Sequence, residues 1–422
     1  MKNLLFVFIF ISPVMLFSQR AFYNAMLDAG NLWENDKENY IKPLLHLEHV
    51  NSDTLSKREN NQYLQTLFTF SSFACDFEKA LYYELLRRNK YYSSSSQSKE
   101  IKDSSFFDFH LIPARNTIDS LAQQYEVIMI NESHHTPYHR NIIFSLLPDL
   151  KKRGFKYLAL EALGKDHKIN QRGYPCHEDG FYIREPLYAE MIREAAQLGF
   201  KLVSYEESFS SCDGKGKDKY FCDRYRDSIA AVNIYNIKKK NKSAKILVYA
   251  GYSHIKKKYK SNKPRMAEYF KRISGIDPLT IDQTTMMDFG DDKYTYPYYD
   301  LHKDKLNGEV MVLFSDKKNS FWSLFEGYDI MVFSPSPKMQ NGRYSFYSIN
   351  NTRKEYYLEG DKTLDVFFVQ AFYENEKGNN IPADQTYFNY NKALLHLRPG
   401  KYRLLFYDKN GNLLKKRIKR FK

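Results

Sequence analysis

Cysteine is scarce in this 422-residue chain, with only Cys75, Cys176, Cys212 and Cys222 present. None of the four has metal-cluster spacing, so a cysteine-ligated metal module is excluded, and none sits in the context of a cysteine nucleophile. Their even number suits an oxidising compartment, which permits pairing without requiring it. Cys212 and Cys222 flank the polar stretch DGKGKDKYF, which leaves a local bridge and buried free thiols both open. Long apolar runs are equally rare. Beyond residue 17 no segment is long and apolar enough to cross a bilayer, and no short-period internal repeat is present. Acidic residues are in deficit, 50 against 64 lysines and arginines, for a formal charge of +14.

The one long apolar stretch, Leu4 to Phe17 in MKNLLFVFIFISPVMLFSQR, follows a single early lysine and ends in small or polar residues. That is the pattern of a secretory signal peptide over residues 1–18, with cleavage expected near Ser18-Gln19. A retained anchor is the alternative, but the run is short for a span and contains Pro13. No cysteine closes it, so a lipid anchor is not indicated. The mature protein is expected to be exported, periplasmic or secreted to the cell surface, with no transmembrane segment. Its excess lysines fall in short runs, KKKNK at Lys238 to Lys242 and KKKYK at Lys256 to Lys260, which read as solvated helix ends and loops. A small-molecule or peptide substrate is the expected partner, not nucleic acid. The 35 tyrosines and 31 phenylalanines read first as core and strand residues.

Residues 19–102 read as a helical region with apolar positions three and four apart, as in IKPLLHLEHV and FEKALYYELLRR, ending in the serine-rich linker YYSSSSQSKE. These helices are expected to pack on the main domain. Over 103–337 apolar runs alternate with helical stretches: YEVIMIN, KYLALEA, FKLVSYE and AKILVYAG each precede a helix signal. Thr136 and Pro137 are placed to open one helix and Gly154 to close it. Strand then helix, repeated, predicts an α/β domain with a mainly parallel sheet flanked by helices. GYDIMVFSP, Gly327 to Pro335, is a candidate further strand. Residues 338–422 turn to alternating patterns with an Asn410-Gly411 hairpin signal, predicting a small antiparallel β module of sandwich type.

In open parallel sheets ligands bind beyond the carboxyl ends of the strands, where loops converge. This sequence puts Glu132, His134, His135 and His139 after the first strand, Glu161 after the second, Glu206 and Glu207 after the third, and His254 after the fourth in AGYSHI. Imidazole with carboxylate handles protons near neutral pH, and the same set suits a divalent metal with an open position for water. Only one of the adjacent His134 and His135 is expected to point inward. Arg226 is a candidate anchor for an anionic group or for one of the glutamates, and Asp227 a helix-dipole charge. Asn131-Glu132-Ser133 matches a glycosylation sequon, but a strand end is a poor place for a glycan.

These residues, in this order, resemble the erythromycin esterase, ChaN and Tiki superfamily. Asn131-Glu132-Ser133-His134 with His139 five residues on resembles its G-E-x-H-x4-H element, YLALEA ending in Glu161 its second strand, RDSIAAVNI its R-[DN]-x-x-M-A-x-N-I helix, and GYSH its G-x-x-H element. The likeness spans about Asp103 to Pro337, and Asn131 stands where the family usually has glycine. It implies an α/β fold with the site at the sheet rim and Glu132, His134, His139, Glu161, Arg226 and His254 at the matched positions. Esterase-branch spacing favours His135 as the active imidazole. Members act as metal-free esterases, metal-dependent proteases or haem binders.

The expected function is hydrolysis of an ester, lactone or amide. Glu132, His134, His135, Glu161 and His254 are the catalytic candidates, and Arg226 and His139 the substrate-binding ones. A metal-bound version would use His134, His139, Glu161 and His254 as ligands. The alternative is a haem or iron-uptake binding protein in which these histidines, or Tyr138 and Tyr252, meet the porphyrin. A third reading is a surface interaction protein whose rim has lost activity.

Overall fold

The computed structural model describes residues 17–91, 101, 104–207, 212, 218, 220–258, 263–361 and 363–422. Most of the expected signal peptide, nearly all of the serine-rich linker, and residues 213–217 between Cys212 and Cys222 lie outside the described residues. Helices α1 (Phe17–Asn35), α2 (Ile41–Glu48), α3 (Lys57–Phe73) and α4 (Phe77–Tyr91) come first. A capping box between Ser56 and Glu59 sets the start of α3.

The central unit then alternates. It runs β1 (His110–Pro113), α5 (Ala114–Leu121), β2 (Val127–Glu132), α6 (His139–Lys152), β3 (Phe155–Leu160), α7 (Ile169–Arg172), α8 (Pro186–Gln197), β4 (Lys201–Ser204), α9 (Phe221–Lys240) and β5 (Lys245–Gly251). After these come α10 (Met266–Ser274), β6 (Leu279–Met286), β7 (Met311–Ser315), β8 (Ser320–Phe321) and β9 (Ile330–Phe333). The sheet order is β1-β7-β9-β6-β2-β5-β3-β4, with β8 hydrogen-bonded to β7. The six strands from β9 to β4 are parallel, while β7 pairs antiparallel with both β9 and β1. This is the α/β architecture with helices on both faces that the alternation predicts.

Burial on both faces explains the continuous apolar strands. Ile128 and Ile130 of β2 enter the core shared with α6, α8 and the N-terminal helices. Val127 and Met129 enter the opposite core, against Ala230 and Ile234 of α9 and Phe270 of α10. GYDIMVFSP supplies β9, as expected. Strands β1, β6 and β7 carry no comparable sequence signal. In β6, LTIDQTTM, the run Asp282-Gln283-Thr284 breaks the apolar pattern, yet Asp282 and Gln283 are buried, with Asn131 hydrogen-bonded to Asp282 Oδ1 and to Gln283.

Toward the C-terminus β12 (Lys354–Glu359) pairs with β15 (Lys392–Leu397). β14 (Asp384–Tyr387), β13 (Phe368–Tyr373), β16 (Gly400–Tyr407) and β17 (Leu413–Phe421) form a second antiparallel sheet. β10 (Met339–Gln340) and β11 (Arg343–Tyr344) make a small hairpin ahead of them. Leu358 and Leu395 of the first sheet meet Val369, Leu404 and Phe421 of the second in a common core, which is sandwich packing. Buried Arg193 of α8 pairs with Glu376 at 2.7 Å and Arg398 with Glu194 at 2.8 Å, tying this layer to the α/β unit.

Candidate functional site

The carboxyl tips of β2, β3 and β5 lie side by side, because β5 sits between β2 and β3 in the sheet. Their register puts Glu132 opposite Gly251 and Leu160 opposite Tyr249, so the residues that follow share one rim. Glu132 Oε1 accepts from His134 Nδ1 at 2.7 Å. His134 Nε2 then faces Glu161 Oε1 at 3.6 Å. The second oxygen of Glu161 takes the Gly251 amide at 2.5 Å. The charge of Glu161 also reaches His254, with no direct ion pair between them; His254 Nδ1 donates to Asp227 Oδ1 at 2.5 Å, and Arg265 Nη1 reaches Asp227 Oδ2 at 3.2 Å. Carboxylate and imidazole alternate along this line.

At the inner end Arg140 and Glu132 are both almost wholly buried. The Arg140 guanidinium approaches Glu132 Oε2 at 3.3 Å and donates to the carbonyls of His134, at 2.7 Å, and of Thr136. Tyr182 stacks flat on the His134 ring, with centroids 4.2 Å apart and planes 13° from parallel, and Tyr252 meets it edge-on at 5.9 Å. The His254 side chain keeps a quarter of its surface exposed against a tenth for His134, so the line opens to solvent at His254.

Burial disfavours the cationic form of both histidines, but the carboxylates win. Glu132 and Glu161 raise His134 to about 9, and Glu161 and Asp227 raise His254 to about 9. Glu161 moves the other way: burial pushes it up, and His254 and His134 hold it well below the usual carboxylate range. Glu132 is also lowered, since Arg140 and His134 outweigh its burial. Burial and the charge of Glu161 push Glu206 up to about 7, against the opposing pull of Arg226. At neutral pH the rim therefore holds two imidazolium ions separated by the Glu161 carboxylate.

Of the residues singled out in the sequence, Glu132, His134, Glu161 and His254 come together, while His135 and His139 do not join them. His135 turns to the N-terminal helices, its Nδ1 3.1 Å from Thr69 Oγ1 and its ring against Phe68, with burial lowering its pKa well below the usual value. The esterase-branch spacing favours His135, whereas the imidazole placed beside Glu132 and Glu161 is His134. His139 Nδ1 accepts the Ser133 amide at 3.1 Å, and burial lowers this histidine to about 3, so it stands apart from the rim in its neutral form. It starts α6, because Thr136 and Pro137 form a turn and do not cap the helix.

Arg226 holds Glu206 through Nε at 2.7 Å, leaving Glu207 to pair with Lys165. Asp227 is the seventh residue of α9, too deep for a dipole charge, and orients His254. Asn131 is fully buried, donating to Asp282 Oδ1 and to the Tyr252 carbonyl, so it is not a glycan acceptor. Cys212 and Cys222 form a disulfide. Arg140, Tyr182 and Arg265 carried no sequence signal. At Gly251 a φ of −77° needs no glycine, but a Cβ there would lie 2.5 Å from His134 Nε2. Gly251→Ala is therefore expected to push His134 off Glu161 and to cost about 1–3 kcal/mol through overpacking, read by urea unfolding.

The ligand set expected for a metal does not assemble as one group. His139 faces away, and among the described residues no three or more His, Cys, Asp or Glu side chains are gathered as a metal site.

No family model and no curated protein matches the sequence. Among solved structures the chain is similar to the type III effector HopBA1, at 14% identity and a TM-score of 0.30 over 44% of this chain and 94% of that one. It is also similar to ChaN of Campylobacter jejuni, described with cofacial haem, at 13% and 0.31 over 43% and 94%. A third is RRSP, a MARTX toxin effector domain from Vibrio vulnificus, at 13% and 0.31 over 63% of each chain. Likeness at this level is too distant to assign chemistry, which has to come from the rim itself.

Proposed function

We propose that this chain is an exported hydrolase of a carboxylic ester, lactone or amide borne by a small molecule or peptide. The observation that carries the reading is the line Glu132, His134, Glu161, His254, Asp227, in which a carboxylate orients each imidazole at Nδ1 and leaves its Nε2 side for a reacting group. Export is supported by the apolar N-terminal run and by the Cys212–Cys222 bridge, which suits an oxidising compartment.

The carboxylate–imidazole spacing and the direction of each group's shift support the following roles. Glu161, ionised, takes the proton of a water as its oxygen attacks the carbonyl carbon. The protonated Nε2 of His254 donates to the developing oxyanion. As the bond to the leaving oxygen or nitrogen breaks, His134 gives that atom its Nε2 proton. Glu161 then returns its proton to His134 Nε2, 3.6 Å away, and the resting state is restored. Glu132 and Asp227 keep both rings charged and aligned. No step here passes through a metal.

This assignment has a sign that pH can test. Both histidines must be protonated, and both are raised to about 9, so kcat/KM with a chromogenic carboxylic ester is expected to fall as pH rises through about 9. It should hold toward acid pH, since Glu161 stays ionised below the usual carboxylate range. A rate that climbs through pH 9 would instead make a neutral imidazole the base and sink these roles. Turnover should survive a chelator in protein shown metal-free by elemental analysis. For the haem alternative, Tyr138 turns its hydroxyl onto Met287 Sδ at 3.4 Å, while Tyr252 is exposed at the rim. Hemin is expected to leave the protein with an unshifted Soret band.

A further inference from the structure

Behind Asp227 lies an open concavity lined by Tyr220, Asp223, Arg224, Lys263, Pro264 and Arg265. Three cations face one carboxylate in it. Arg224 is paired outside the lining with Asp218 at 2.5 Å, and Arg265 with Asp227 at 3.2 Å. Lys263 lies over the Tyr220 ring and has no carboxylate partner among the described residues. A concave surface with one ammonium and two guanidinium groups against the single carboxylate of Asp223 suits an oxyanion, which accepts several charge-assisted hydrogen bonds at once. One wall of the cavity, Arg265, is also the outer end of the line that reaches His254 through Asp227.

We propose that this cavity binds a phosphate or carboxylate group and that its occupancy is passed to His254 through Arg265 and Asp227. An anion in the cavity competes with Asp227 for the Arg265 guanidinium. Asp227 is then less compensated and holds the imidazolium more strongly. The other titratable groups facing His254 are Glu161 and Glu206, and neither lines the cavity. The binding claim stands apart from the hydrolase reading, and only an effect on turnover rests on it.

Calorimetric titration with inorganic phosphate tests binding directly. Saturable binding is expected in the full chain, weakened roughly tenfold or more by Lys263→Ala, as loss of a charged donor implies. Lys263→Arg should retain it, and so should His134→Gln, which removes the hydrolytic imidazole but not the cavity. On phosphate saturation the His254 ring signal is expected to titrate at higher pH, a shift absent in Lys263→Ala. No saturable phosphate binding, or equal affinity in Lys263→Ala, overturns the site, and an unmoved His254 titration overturns the link.

Kinetics separate the two sources of the anion. Phosphate stimulation of a neutral ester at about pH 9 and above, where His254 begins to lose its proton, points to a separate small anion. A KM rise in Lys263→Ala confined to a carboxylate-bearing ester points to the substrate's own group.

Discussion

Replacing His134 by glutamine is expected to lower kcat/KM for ester hydrolysis by roughly 10²–10⁴, the usual contribution of a positioned acid–base group. Glutamine's amide can still donate to Glu132, so the fold should persist and the loss should be chemical. The neighbouring imidazole is the control. His135→Gln removes a ring held by Thr69 and Phe68, away from Glu161, and should leave the rate within a few-fold while costing some stability. Equal losses at both positions would mean that the rim is disturbed as a whole. Glu161→Gln should cost about as much as His134→Gln. The pair together should cost little more than either alone, because residues that act as a unit do not add.

The largest effect on stability is expected at Arg140. Its guanidinium and the Glu132 carboxylate are each about 1% exposed, so removing the cation strands a buried charge. Breaking such a pair typically costs about 3–5 kcal/mol. Arg140→Met should show that loss in urea unfolding. It should also release the carbonyls of His134 and Thr136, which set the turn before α6. Glu132→Gln in the same background should cost much less than in the wild type, since the stranded charge is gone. Additive losses would mean that the two groups are not a pair.

How far the residues announced this arrangement depends on the kind of interaction. The four strands β2 to β5 were legible because burial on both faces demands continuous apolar runs, and that alone brought Glu132, Glu161 and His254 to one rim. Strand β6 was not, because its middle is polar and its partner, Asn131, lies 151 residues away. The orientation of His134 over His135 turns on which face each follows after β2. The packing of α3 against His135 decides it, and no local pattern encodes that contact. Asp227 stood in plain view within RDSIAAVNI, yet its bond to His254 exists only because α9 packs beside the end of β5. Arg140 reads as an ordinary helix residue, since nothing local marks a guanidinium that points into the core.

The account rests on Glu161 being shared by two charged imidazoles, and an NMR pH titration of the His134 and His254 ring signals tests this most directly. In the wild type both should titrate near pH 9, and Glu161→Gln should move both downward together. Titration of either ring near 6.5 in the wild type, or a Glu161→Gln variant in which only one of the two moves, would contradict it.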